Sequence, residues 1–326
     1  MGRYIVRRLF LMIPVLLGVS FLIFALQLVT PGDPARLMLG DDALEKDIYD
    51  WHEKNGLNDP FLIQYTKYMW RIVSRLDFGL SWRTGQSISS QVISRWPTTC
   101  LLAILTTVVS LILGILLGIF AATKRGSIWD SSARVIGMLG VSMPNFWFAL
   151  LLIMLFAVRL KWLPVSGFRG PRYWILPAST IGILSSAGLM RVTRSAMLDS
   201  IMQDYVRTAR AKGQSESVVI RHHVLRNAMI PIITSVGRIF AGNMTGTMIL
   251  EQIFAIPGLG SLMVLSIRTR DFPQLRASVL LVAFTVSIVN LLVDIAYAAV
   301  DPRVKAGFRS SNIRRIPFIK RKEASA

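Results

Sequence analysis

One cysteine, Cys100, stands in the 326-residue sequence. That excludes an internal disulfide framework and any cysteine-built metal cluster. Cys100 lies in an apolar run and reads as a small packed side chain. No segment matches the phosphate-binding pattern G-x-x-x-x-G-K-[ST], and the dipeptide Gly-Lys does not occur. Histidine is scarce: His52 stands alone, and the adjacent His222 and His223 face different ways on a helix. No H-E-x-x-H and no G-x-S-x-G is present. No buried carboxylate pair and no repeat of fixed period is suggested. These absences argue against ATP hydrolysis, against a resident metal and against an enzyme. Acids are few as well, 18 against 37 Lys+Arg, for a net charge of +19. A compact basic domain would suggest nucleic acid. Here the cations flank apolar runs instead, as membrane-surface anchors would.

Long uncharged runs dominate what is present. The chain is 53% hydrophobic, with mean hydropathy +0.52. An apolar stretch of about 18 residues or more reads as a transmembrane helix. Leu9 to Val29 is the first, and its length and the lack of a small-residue cleavage site mark a retained helix. Further runs lie between Arg95 and Lys124, between Arg134 and Arg159, and between Arg172 and Arg191. The fourth is shorter and holds Pro177 and the pair Ser185–Ser186. A fifth, Asn227 to Leu250, is interrupted by Arg238, and a sixth follows Arg276 to Val300. The expected class is all-α, a polytopic membrane protein with six spans.

Six spans put both termini on one side, and loop cations choose the side. With an inside N-terminus the inner segments 1–8, 123–134, 191–228 and 300–326 hold 21 Lys+Arg. The short outer segments 159–173 and 251–276 hold 7, and segment 30–95 is too long for the rule to count. Both termini are therefore expected in the cytoplasm. The organisation follows: 1–30 as N-terminal end and first span, 31–95 as an extracytoplasmic segment, 96–300 as five spans, and 301–326 as a basic tail.

In the outer segment, Pro31-Gly32-Asp33-Pro34 stops the first helix. Phe61, Tyr65, Tyr68, Met69 and Ile72 recur at helical spacing. That stripe fits a helix on the membrane surface or one packed on this chain's own outer face. The inner loop 195–228 is polar yet patterned. Tyr205 and Ala209 share a face; Arg207, Arg210 and Lys212 precede Gly213, as at a helix end. Ser215 can cap a second short helix with Glu216 in its first turn and Val218, Val219 and Leu225 on its apolar side. The pairs Gly114/Gly118 and Gly242/Gly246 allow close helix approach, within the chain or to a partner.

Several segments resemble one family. They are Arg7-Arg8-Leu9, Pro31-Gly32-Asp33-Pro34, Gly56-Leu57-Asn58-Asp59-Pro60, Asp77-Phe78-Gly79-Leu80-Ser81, and above all 204–213, Asp-Tyr-Val-Arg-Thr-Ala-Arg-Ala-Lys-Gly. Leu225-Arg226-Asn227-Ala228, Pro231, Glu251-Gln252-Ile253-Phe254, Pro257-Gly258-Leu259-Gly260, Arg270-Asp271 and Asp301-Pro302-Arg303 complete the set. The chain resembles the inner-membrane permeases of peptide-importing ATP-binding-cassette systems, of the dipeptide and oligopeptide permease B type. The resemblance implies a type I importer permease fold. It implies an ATPase-coupling loop built on Tyr205, Arg207, Thr208, Ala209, Arg210, Ala211, Lys212, Gly213, Glu216 and Leu225. Arg207-Thr208-Ala209 stands where the general pattern has Glu-Ala-Ala, and His223-Val224-Leu225-Arg226 where it has Ile-x-Leu-Pro; both departures are usual in the peptide branch. It also implies the partners: a homologous second permease, two ATP-binding subunits that hold ATP and magnesium, and an extracytoplasmic substrate-binding protein. No cofactor is expected in this chain.

Arg238 departs from the apolar residue usual in the family. It sits about 10 Å along the fifth helix from Pro231, and an arginine at the bilayer centre costs roughly 2.5–3.5 kcal/mol. It can pair with Asp294 or a partner's acid, snorkel to the interface, or line the translocation path. Asn243 is the other candidate for the path, on a different face. The alternatives to a peptide importer are a nickel-chelate or glutathione importer of the same family, or an ion-coupled transporter or channel.

Overall fold

A computed structural model of the chain describes residues 2–300. The basic tail and Asp301-Pro302-Arg303 lie outside the described residues. The elements are α1 (Gly2–Val29), α2 (Pro34–Leu39), α3 (Glu45–Asn55), α4 (Phe61–Arg75), α5 (Ile88–Thr123), α6 (Ile128–Ser142), α7 (Asn145–Leu152), α8 (Arg172–Ile201), α9 (Asp204–Ala211), α10 (Glu216–Val218), α11 (Arg226–Ile253), α12 (Leu259–Arg268) and α13 (Phe272–Val300). No strand occurs among the described residues.

Among the described residues, five helical stretches are long and apolar enough to cross a membrane: Ile5–Val29, Ile88–Thr123, Arg172–Ile201, Glu216–Ile253 and Phe272–Ala296. The remaining expected span is broken. Pro144 has no N–H to donate and disfavours helical geometry at Met143, which is extended with φ −79° and ψ 131°. The apolar run from Arg134 to Arg159 is thus divided between α6 and α7, and α7 runs on as wider turns over Ile153–Arg159. This corrects the expectation of one continuous helix there. The fourth span is also longer than its apolar run, since α8 continues ten residues beyond Arg191 to Ile201.

Glycines decide how the bundle closes. A Cβ on Gly118 would stand 2.5 Å from Thr193 Cβ, and one on Gly114 2.7 Å from Leu189 Cβ. Gly182 meets Val109 in the same interface. The α5–α8 contact therefore needs all three to be glycine. Ser110 Oγ adds a bond to the Gly182 carbonyl at 3.1 Å. Gly242 differs: a Cβ there would meet nothing within 4 Å, so that glycine is free for a partner surface.

On the other side, α1 lies against α13, and Arg8 holds Asp294 at 3.0 Å. The stripe of α4 packs on α1 through Phe21, Phe24, Phe61, Tyr65 and Tyr68, with ring centroids 5.4–5.6 Å apart. Leu62, Trp70 and Val73, on another face of α4, stay exposed. The stripe itself therefore packs on this chain's own outer helices.

Candidate functional site: an inner coupling loop and an arginine-lined face

The inner loop is built on a buried floor. In α9, Val206 is fully buried and Ala209 nearly so, packed with Met197, Val219 and Val224. Tyr205, Arg207, Thr208, Ala211 and Lys212 point outward. Ala209 therefore anchors the loop rather than presenting it. Val206 was not singled out from the sequence; its place between charged residues hides its alternation with Ala209 at helical spacing.

Gly213 ends α9 in the left-handed region, φ +77°. Its N–H bonds the Arg210 carbonyl at 2.9 Å, and the Gln214 N–H reaches back to the Ala209 carbonyl at 3.4 Å. That pair of bonds is a Schellman turn, which satisfies the end carbonyls of a helix. Arg210 closes it from outside with a bidentate ion pair to Glu216, 3.1 and 2.7 Å. The pairing raises the Arg210 pKa, because the Glu216 carboxylate accepts from the charged guanidinium. His223 Nε2 sits 2.8 Å from Gln214 Oε1. Ser215 occupies the cap position, but its side chain makes no capping bond. The second helix is not separate, as the sequence suggested: α10 runs through Val219–Leu225 into α11, a single stretch from Glu216 to Ile253. Leu225 rests against the buried floor, and Val218 is exposed. The loop is thus continuous with the fifth span.

Arg238 lies on the exposed side of α11 with Thr234, Gly242 and Thr245. Ser235 Oγ accepts from its Nη2 at 3.1 Å. An open depression of about 390 Å³ runs beside it, lined by Val192, Ile230, Pro231 and Thr234. Asp294 is taken by Arg8, so the expected Arg238–Asp294 pair does not form. Asn243 faces inward: its amide donates to Thr107 Oγ1 at 3.0 Å, and Ser185 Oγ donates to its Oδ1 at 3.1 Å. It ties α5, α8 and α11 together inside this chain.

Segments that carry the family resemblance converge at the opposite end. Arg270 donates to the Pro31 carbonyl at 2.8 Å, joining Arg270-Asp271 to the Pro31–Pro34 turn. Asp271 accepts from Ser81 Oγ and from the Trp82 N–H. Glu251, fully buried, accepts from Thr99 Oγ1 and the Ser261 N–H, both 2.7 Å. Its carboxyl fills the space beside Gly258 and Gly260 where side chains would stand. Buried Asp130, near the inner ends, takes a bidentate pair from Arg194 at 2.7 and 2.8 Å. The pairings of these carboxylates carried no sequence signal, because the side chains that meet them are 64 to 190 residues away in the chain.

The bundle is glycine-packed, with a loop mounted on a buried floor at one end and a hydrogen-bonded cluster at the other. The chain belongs to the family described as binding-protein-dependent transport system inner membrane component, matched over residues 114–306. The N-terminal part of the same kind of component matches residues 1–103. It is 40% identical over 316 residues to the oligopeptide transport system permease protein AppB of Bacillus subtilis, covering 94% of this chain and 100% of that protein. The glutathione transport system permease protein GsiC of Escherichia coli K12 is 39% identical, with 94% and 99% covered. Among solved structures, the inward-facing MetNI methionine transporter gives a TM-score of 0.55 at 14% identity, covering 65% of this chain and 96% of that one. That likeness shows the type I importer permease fold.

Proposed function

We propose that the chain is one of two membrane-spanning halves of an ATP-driven peptide importer. Two ATP-binding subunits, which hold ATP and magnesium, sit on the inner loop, and an extracytoplasmic binding protein delivers dipeptides or oligopeptides to the opposite side. The observation that carries this reading is the loop: an exposed basic helix closed by a Schellman turn and the Arg210–Glu216 pair, on a buried floor continuous with α11. A segment that merely connected two spans would not need such mounting. Both termini are placed in the cytoplasm, because that puts the cation-rich short loops inside. Access alternates as the ATPase pair closes and pushes the loop.

The path runs along the exposed face of α11, where Arg238 favours an anionic group such as a peptide carboxylate. Asn243 supports that face from behind. The test is reconstitution of the purified complex in proteoliposomes with labelled di- and tripeptides. Uptake should require ATP and the binding protein. Uptake without ATP would overturn the reading in favour of an ion-coupled transporter or channel, and uptake of glutathione or a nickel chelate alone would move the substrate.

A further inference from the structure

A cavity of about 530 Å³ opens at the end of the molecule opposite the coupling loop, between α3, α4, the 77–82 loop and the first turns of α13. Arg276 forms part of its wall and is 6% exposed. Its guanidinium lies 4.3 Å over the Phe24 ring and 5.1 Å from the Tyr68 ring centroid. Those rings cover its faces but supply no acceptor to its N–H edge. Nε has no hydrogen-bond partner, and no carboxylate lies within ion-pair distance among the described residues. Asp271 could have served, but the Ser81 hydroxyl and Trp82 N–H engage it.

Two further donors face the same space. Tyr68 is 3% exposed, and its hydroxyl is also without a partner. Burial pushes its pKa up to about 12, so it stays a neutral O–H donor. Arg71, one helical turn on, lines the cavity and holds no carboxylate. Of the acids lining the cavity, Asp59 binds Lys67 at 2.7 Å, while Glu53 and Lys54 both lie on its α3 wall. The Asp271 carboxylate still acts on Arg276 through space, but no acceptor meets the Arg276 Nε or the Tyr68 hydroxyl, and buried donors without acceptors are costly unless something fills the site.

Depth says what kind of anion. The 29 residues of α13 span about 44 Å against about 30 Å of hydrocarbon, an overhang of about 7 Å at each end. Arg276 lies about 6 Å into α13, and Phe24 about 7.5 Å from the end of α1. That puts Arg276 in the headgroup layer and Phe24 at its boundary with the hydrocarbon. Leu62, Trp70 and Val73 expose an apolar face of α4 next to the cavity, while Lys67, Arg71 and Arg75 take another side. That is the amphipathicity of a helix lying in the interface.

We propose that this cavity binds the phosphate of an anionic phospholipid headgroup, clamped between Arg71 and Arg276 with the Tyr68 hydroxyl donating. The site is independent of the transport reading. The full-length chain, purified with its subunits in detergent, is titrated with phosphatidylglycerol or phosphatidylcholine, and bound lipid is counted by native mass spectrometry. Phosphatidylglycerol should be retained preferentially. Arg71→Gln, at an exposed position that folding tolerates, should weaken it about tenfold, and Tyr68→Phe should weaken it less. Equal retention in wild type and Arg71→Gln would overturn the proposal. Displacement by millimolar inorganic phosphate would assign the site to free phosphate and overturn the lipid source. Protection of an Arg71→Cys thiol by the binding protein alone, with lipid having no effect, would assign it to a protein contact and likewise overturn it.

Discussion

Gly213 offers the sharpest separation of backbone strain from steric contact. Its φ of +77° is a conformation that costs a side-chain-bearing residue roughly 1–2 kcal/mol. In the chain by itself an added Cβ would meet nothing within 4 Å, so Gly213→Ala suffers the backbone term alone. That cost falls on an exposed turn held by two backbone bonds of 2.9 and 3.4 Å. Insertion and overall folding should survive. The native turn population should fall by a factor of about 5–30 for the same 1–2 kcal/mol. Asn tolerates the left-handed region better than Ala, so Gly213→Asn should stay near wild type. Gly213→Val adds a branched side chain where the ATPase surface would approach. Peptide uptake and ATP hydrolysis are measured together in proteoliposomes holding all subunits. The expected order of coupling is Gly, Asn, Ala, Val, with hydrolysis persisting as uptake is lost. Wild-type uptake and substrate-stimulated hydrolysis in Gly213→Val would refute the docking assignment. Equal loss in the Asn and Val variants would refute the strain account and leave only a contact with the partner.

The remaining expectations are as follows. A cysteine at Ser217, exposed on the loop, should react with an impermeant thiol reagent in inside-out vesicles and not in intact cells; labelling of intact cells would reverse the orientation. Arg238→Leu should leave assembly intact and shift uptake from acidic toward neutral peptides; an unchanged ratio would mark the arginine as structural. Gly118→Leu should disrupt the chain's own fold, because its Cβ meets Thr193 Cβ at 2.5 Å, while Gly242→Leu should fold normally and weaken pairing with the second permease. Thermal stability of the two purified variants separates the cases. Asp130→Ala leaves Arg194 without its bidentate partner and should cost roughly 3–5 kcal/mol. Arg194→Met together with Asp130→Ala should recover part of that loss in a denaturation assay, and no recovery would refute the pairing as the cause.

The apolar runs placed five of the helices because lipid leaves backbone polar groups no solvent, and the run holding Pro144 was the one that divided. Gly213 after a basic helical stretch was legible for a comparable reason: the turn is made from its own neighbours. So was the stop at Pro31–Pro34. Which helix meets which was not. Gly114/Gly118 and Gly242/Gly246 read alike in sequence, yet Gly114 and Gly118 are filled by α8 and Gly242 faces open space. Asp294 looked equally available to Arg238, but α1 lies against α13 and brings Arg8 to it. Ala209 looked like part of the docking face, and the position of α9 on Met197 and Val224 turned it inward. Arg276 read as a loop residue at a helix start, and only the approach of α1 and α4 buried it between two rings. Periodicity records how each segment divides polar from apolar surface. It does not record which partner fills that surface, because that depends on residues in other helices, from about a dozen to nearly three hundred positions away.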